Sequence, residues 1–132
     1  MDSNTEAINA TLNGYRDALA ACDVAAVMKL YAVDAVVMAQ NFPTQVGREA
    51  VEEWYKTVFK LITLDIHFDV KEVLVVSDEY AFARTSSAGT QKDNTSGAIS
   101  KEANQELFVM QKDGSDWKIA KYCFDTTNSP EA

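Results

Sequence analysis

The feature that most limits what this chain can become is a pair of alternating segments, Glu102–Lys112 and Trp117–Thr126, on either side of Asp113-Gly114. Apolar residues at every second position, with an Asp-Gly between the two runs, specify a long β-hairpin. One face of the first segment carries Glu102, Asn104, Glu106, Phe108 and Met110, and one face of the second carries Ala120, Tyr122, Phe124 and Thr126. A core face is uniformly apolar and a wet face uniformly polar. A face that mixes carboxylates with aromatics therefore predicts a concave surface that meets a small organic molecule. In the same register Trp117, Ile119 and Cys123 fall on the opposite face, which leaves the outside of the sheet partly apolar and in need of cover.

Upstream, the period is helical. Ser3-x-x-Glu6 is a capping-box pattern, and Ile8, Leu12, Tyr15, Leu19 and Cys22 follow at helical spacing, which predicts helix over 5–21 with Gly14 inside it. Asp23 caps a second short helix with Val24, Val27, Met28 and Tyr31 on one side. A short strand over 34–39 leads into a loop around Pro43. A third helix after Gly47 then shows Val51, Trp54, Tyr55, Val58, Phe59 and Ile62 on one stripe.

From Thr63 the period becomes two, with a break near Lys71-Glu72 that predicts a bulge. Asp78-Glu79 turns the chain into a strand over 80–90 that puts Tyr80, Phe82, Arg84, Ser86 and Ala88 on one side. Residues 91–100 read as a polar loop placed to cover a cavity mouth. Helices first and strands after specify an α+β class, a curved antiparallel sheet wrapped around the N-terminal helices as a cone-shaped α+β barrel, in one domain over 1–132.

Total charge narrows the partners. With 20 acidic against 12 basic residues, a net charge of −8 and no Lys/Arg cluster, neither nucleic acid nor an anionic membrane surface is expected. No apolar stretch approaches a membrane span and the first residues lack a leader pattern, so a cytoplasmic location is expected. Two cysteines and one histidine predict free thiols and no metal site.

Four short motifs, in this order, carry a resemblance: Ala21-Cys22-Asp23, Leu30-Tyr31-Ala32-Val33-Asp34-Ala35, Gly47-Arg48-Glu49-Ala50-Val51 and Asp116-Trp117-Lys118-Ile119. Together they resemble the nuclear-transport-factor-2-like superfamily, the cystatin-like cone fold, and especially its SnoaL-like and ketosteroid-isomerase-like members. The resemblance implies the cone fold, dimerisation through the outer sheet face, and either cofactor-free isomerase, cyclase or lyase chemistry or a non-catalytic binding or oligomerisation role. It places the isomerases' oxyanion-hole tyrosine on Tyr15, the supporting tyrosine on Tyr55 and the protonated acid on Glu106. Their proton-shuttling aspartate falls on Ala39, so the usual base is missing.

Glu106 and Tyr15 are therefore the candidate catalytic pair, with Tyr31, Met38, Trp54, Tyr55, Arg84, Asn104, Phe108, Tyr122 and Phe124 as candidate binding residues. Burial among aromatics would raise the Glu106 pKa and let a neutral carboxyl donate to a developing oxyanion, the behaviour for which ketosteroid isomerase is itself the known example. Arg84 either pairs with Glu106 across neighbouring strands or receives a ligand carboxylate or enolate. His67, in phase with Asp65 and Asp69, belongs to the polar outer face. Epoxide hydrolysis would require a carboxylate set drawn from Arg84, Glu106 and Asp125.

Overall fold

The computed structural model describes residues 2–129. Its elements run α1 (Ser3–Ala20), α2 (Val24–Lys29), β1 (Tyr31–Ala39), β2 (Gln45–Val46), α3 (Arg48–Leu61), β3 (Ile62–Val75), β4 (Tyr80–Asp93), β5 (Ile99–Asp113) and β6 (Asp116–Thr126). The strands form one six-stranded sheet in the order β2-β1-β6-β5-β4-β3. Only β1 and β6 run parallel; every other neighbouring pair is antiparallel. The sheet curls without closing, with α1 packed on β3 and β6 and α3 on β1. This is the expected α+β cone.

The helices form where apolar spacing and caps specify them. On α1, Ile8, Leu12, Tyr15, Ala18 and Leu19 are buried. The cap is Asp2 rather than the expected Ser3: its carboxylate accepts the Thr5 amide at 2.8 Å, and a charged acceptor also suits the positive end of the helix dipole. Asp23 caps α2 as expected, accepting from the Ala26 amide. The last carbonyls near the end of α2 are satisfied from outside, by Arg48, whose guanidinium donates to Met28 O at 2.8 Å and Tyr31 O at 2.7 Å. One arginine thus fastens α3 to the entry of β1.

The β5–β6 hairpin turns through Gly114 and Ser115, with Asp113 opposite Asp116 and Gly114 at φ 63°. Its register slips once: Val109 faces Lys121 while Met110 faces Ile119, which leaves Ala120 as an extra residue. That bulge resets the alternation. Trp117 and Ile119, expected outside, are consequently buried on the same side as Tyr122. Thr11 donates to Trp117 O at 2.6 Å and Trp117 Nε1 donates to Asn4 at 3.1 Å, which sews α1 to this strand. Leu74, Tyr80, Leu107 and Cys123 are among the exposed apolar groups left on the outer face.

Two further expectations change. The bulge near Lys71 is present, between Val70 and Glu72, but residues 91–100 are mostly strand, because β4 and β5 pair as far as Lys92 and Ile99. Polar, Gly-containing composition lowers strand propensity, and cross-strand pairing overrides it here. The hairpin tip is tied to the end of α3. The Asn94 amide nitrogen donates to Leu61 O at 2.9 Å and its side chain to Phe59 O and Lys60 O at 3.3 Å each, while Thr63 donates to Asn94 Oδ1 at 2.8 Å. Lower down, Gly89 lies opposite both Ile66 and Glu102. A Cβ there would sit 2.0 Å from the Asp65 carbonyl oxygen, so only glycine permits this approach of β3 and β4.

Candidate functional site

Between α1, α3 and the concave faces of β3 to β6 lies a cavity of about 380 Å³. Its walls are mostly apolar, with Leu19 from α1, Trp54 and Val58 from α3, Leu64 and Ile66 from β3, and Tyr122 and Phe124 from β6. Asn41, Phe42 and Leu61 form an exposed rim. Asn41 adopts φ 66° in the turn that brings Phe42 edge-on to Trp54, ring centres 5.7 Å apart.

The polar groups lie along one strand. Glu102, Asn104 and Glu106 follow one another on the inner face of β5, and exposure falls along the series, from half-buried Glu102 through Asn104 at 9% to Glu106 at 4%. Glu106 has no cationic partner among the described residues. Thr85 donates to one carboxylate oxygen and Ser87 to the other, both at 2.6 Å. Burial pushes the Glu106 carboxyl above its ordinary 4.5, and the two hydroxyls, which favour the ionised form, offset only part of that rise. Asn104 donates to Glu102 at 3.1 Å.

Beside this row stands a tyrosine cluster. The Tyr55 hydroxyl lies 2.6 Å from Tyr15 and 2.6 Å from Tyr31. The Tyr122 hydroxyl also neighbours that of Tyr15, and in each of the two close pairs either oxygen can be the donor. Burial holds Tyr15, Tyr31, Tyr55 and Tyr122 well above the usual phenol range; for Tyr15 the neighbouring hydroxyls work against that rise. All four are neutral donors at physiological pH.

Seven of the expected residues line the cavity: Tyr15, Trp54, Tyr55, Asn104, Glu106, Tyr122 and Phe124. Tyr31 reaches it only through Tyr55. Phe108 lies behind the wall, fully buried, with its ring stacked on Tyr122 at 4.3 Å. Two expectations are wrong. Met38 is 48% exposed, because Val37 and Ala39 beside it on β1 take the inner side. Arg84 also points outward, with Nε 3.2 Å from Glu72, so there is no Arg84–Glu106 pair. The phase of β4 is set by small residues: Ala81, Ala83, Thr85 and Ser87 face inward against the aromatics, and the larger Tyr80, Phe82 and Arg84 face out. Asp125 is exposed and accepts from Gln105, far from any hydrolytic carboxylate set. His67 is exposed, as expected.

Several lining residues escaped the sequence reading. Ser87 was hidden by the inverted phase of β4, and Gln91 by the missed strand extension. Gln40 and Asn41 flank the position of Ala39, which presents only a methyl group. Gln40 Oε1 accepts the Thr126 amide at 2.5 Å, and Trp54 Nε1 is buried without a partner among the described residues. No group of His, Cys, Asp and Glu among the described residues is arranged to hold a metal ion, and no helix among them is long and apolar enough to cross a membrane.

The sequence matches the SnoaL-like domain family over residues 12–117. Among solved structures, a ketosteroid isomerase-like protein from Erwinia carotovora atroseptica superimposes with a TM-score of 0.89 at 31% identity, covering 94% of this chain and 96% of that one. A provisionally assigned scytalone dehydratase from Novosphingobium aromaticivorans gives 0.84 at 19% identity, over 95% and 85% of the two chains. A nuclear transport factor 2-like superfamily protein from Salmonella enterica gives 0.80 at 16%, over 94% and 91%. The latter two likenesses are of fold alone. No curated protein sequence matches.

Proposed function

The chain belongs to the SnoaL-like family, within the nuclear-transport-factor-2-like superfamily, and from that premise we propose that it binds a small carbonyl-bearing organic molecule in the cone. We further propose that it acts on this molecule as a cofactor-free isomerase, cyclase or lyase. The observation that carries this is Glu106: a carboxyl buried at the floor of an open cavity and held by two hydroxyls, with no cation among the described residues, beside the Tyr15 hydroxyl. A filled cone with Arg84 on Glu106 would have favoured an assembly role. Neither feature is present.

In the proposed complex the substrate carbonyl oxygen lies between the Tyr15 hydroxyl and the protonated Glu106 carboxyl. Both donate, and both strengthen as negative charge develops on that oxygen, which lowers the barrier to enolisation. Tyr31 and Tyr55 donate in series behind Tyr15 and polarise it further. Asn104 and the aromatic walls orient the substrate. Ala39 bears no base, and the Gln40 and Asn41 amides accept no proton at neutral pH. That specific feature favours a second proposal, ligand binding without turnover.

Absorbance titration with substituted phenols, which mimic an enolate, tests the site. The wild type is expected to bind the phenolate form, and Glu106→Gln and Tyr15→Phe each to weaken it about tenfold or more. Absence of binding at millimolar phenol would overturn the oxyanion site. Phenolate binding with no turnover of any ketone in a broad panel would select the second proposal.

A further inference from the structure

The cavity has a second polar end. Glu102 lies four residues from Glu106 on the same strand face, about 13 Å away along β5 at the usual rise per residue. It is the half-buried member of the row, nearest the open side, and its rung crosses Gly89 to Ile66, both free of polar side chains. Asn104 donates to one of its oxygens. Its other oxygen has no partner among the described residues. Gln91, one rung further out, also lines this end.

The charges are one-sided. The lining contains two carboxylic acids and no Lys, Arg or His, and the only arginine expected inside faces out. An anionic group near Glu102 would therefore meet a second carboxylate, with no cation among the lining residues to balance it. A hydroxyl or amide N–H there would meet an unused carboxylate oxygen and form a charge-assisted hydrogen bond.

We infer that the cavity selects an uncharged, elongated molecule with a carbonyl at its inner end and a hydrogen-bond donor, a hydroxyl or amide N–H, at its outer end received by Glu102. Molecules with a carboxylate or phosphate at that outer end are rejected. The inference rests on the proposed carbonyl site at Tyr15 and Glu106 and adds the substrate class that the same cavity takes.

Three naphthalenes that differ only at the far end test it by fluorescence titration: 6-acetyl-2-naphthol, 2-acetylnaphthalene and 6-acetyl-2-naphthoic acid. The naphthol is expected to bind about tenfold more tightly than the plain ketone, and the acid more weakly than either. Glu102→Ala should remove the preference for the hydroxyl, so that the naphthol and 2-acetylnaphthalene bind alike. Glu102→Lys should reverse the order and favour the acid, a gain of binding that misfolding cannot imitate. If the hydroxyl preference survives Glu102→Ala, or the acid binds the wild type as well as the naphthol does, the inference is overturned. If 2-acetylnaphthalene binds and weakens in Tyr15→Phe while no far-end preference exists, the inner carbonyl site stands and only the outer one fails. If none of the three binds, both fail.

Discussion

The inner face of the β5–β6 hairpin divides into two regions built on the same two strands. Toward the turn, Phe108, Met110, Trp117 and Ile119 are all but inaccessible, and Trp117 has its N–H satisfied by Asn4. Toward the other end, Glu102, Asn104, Glu106 and Phe124 line the cavity. Backbone pairing runs from Asn104 to Asp113 and is interrupted only at the Ala120 bulge. The difference is one of filling: the first region takes its stability from packed aromatic surface, whereas the second leaves carboxyls and an indole N–H where methyl groups would have packed. A protein gives up packing of this kind where a ligand supplies it instead.

The sharpest way to break that comparison is to exchange the costs. Phe108→Ala, in the filled region, should lose about 3–5 kcal/mol of stability in urea unfolding, through lost burial and the cavity left behind. If it loses less than about 1 kcal/mol, the closed half is not what holds the cone together.

Tyr55→Phe probes the seam between the regions. It strips the partner from both the Tyr15 and Tyr31 hydroxyls, and should cost about 1–3 kcal/mol in the same assay while weakening phenolate binding. Unchanged phenolate affinity would separate the tyrosine chain from the site.

Glu106→Gln should behave oppositely in the open region. Burial raises the carboxyl above 4.5 in the folded protein, so its contribution favours folding below pH 4.5 and is lost as pH rises through the higher folded value. Relative to the variant, wild-type stability should therefore decline across that window and level off above it. A difference independent of pH would show that Glu106 is not strained by burial. Gly14→Ala serves as the control outside both regions. Its new Cβ would meet only Leu30, at an ordinary 3.6 Å, so thermal unfolding should show a gain of up to about 1 kcal/mol with ligand affinity unchanged.

Much of this organisation was legible in the residue pattern. The stripe Val51, Trp54, Tyr55, Val58 admits one helix face, and the alternation around Asp113-Gly114 admits one hairpin, so the cone could be read from the pattern, while the grouping of Tyr15, Tyr55 and Glu106 was what the family resemblance implied. Arg84 could not be placed. Alternation alone leaves open which face of its strand turns inward, and a strand facing a crowd of tyrosines must present alanine, serine and threonine to them. Trp117 failed for a different reason. A single extra residue at Ala120 exchanges inside for outside, and nothing in the local composition announces it. Glu102 was visible on the right face, but its value lies in what surrounds it, and absence of a cation from a three-dimensional lining has no one-dimensional signature.

The tether at Asn94 also bears on time. Because the β4–β5 tip is fastened to the last carbonyls of α3, that side of the entrance does not breathe independently of the helix. The opposite side is the short turn carrying Asn41 and Phe42, with Phe42 leaning on Trp54 and 47% exposed. Residence time and rate of entry are thereby assigned to one phenyl ring rather than to the hairpin. Trimming that ring in Phe42→Ala should accelerate association and dissociation of a bound naphthol together in stopped-flow fluorescence, leaving their ratio nearly constant.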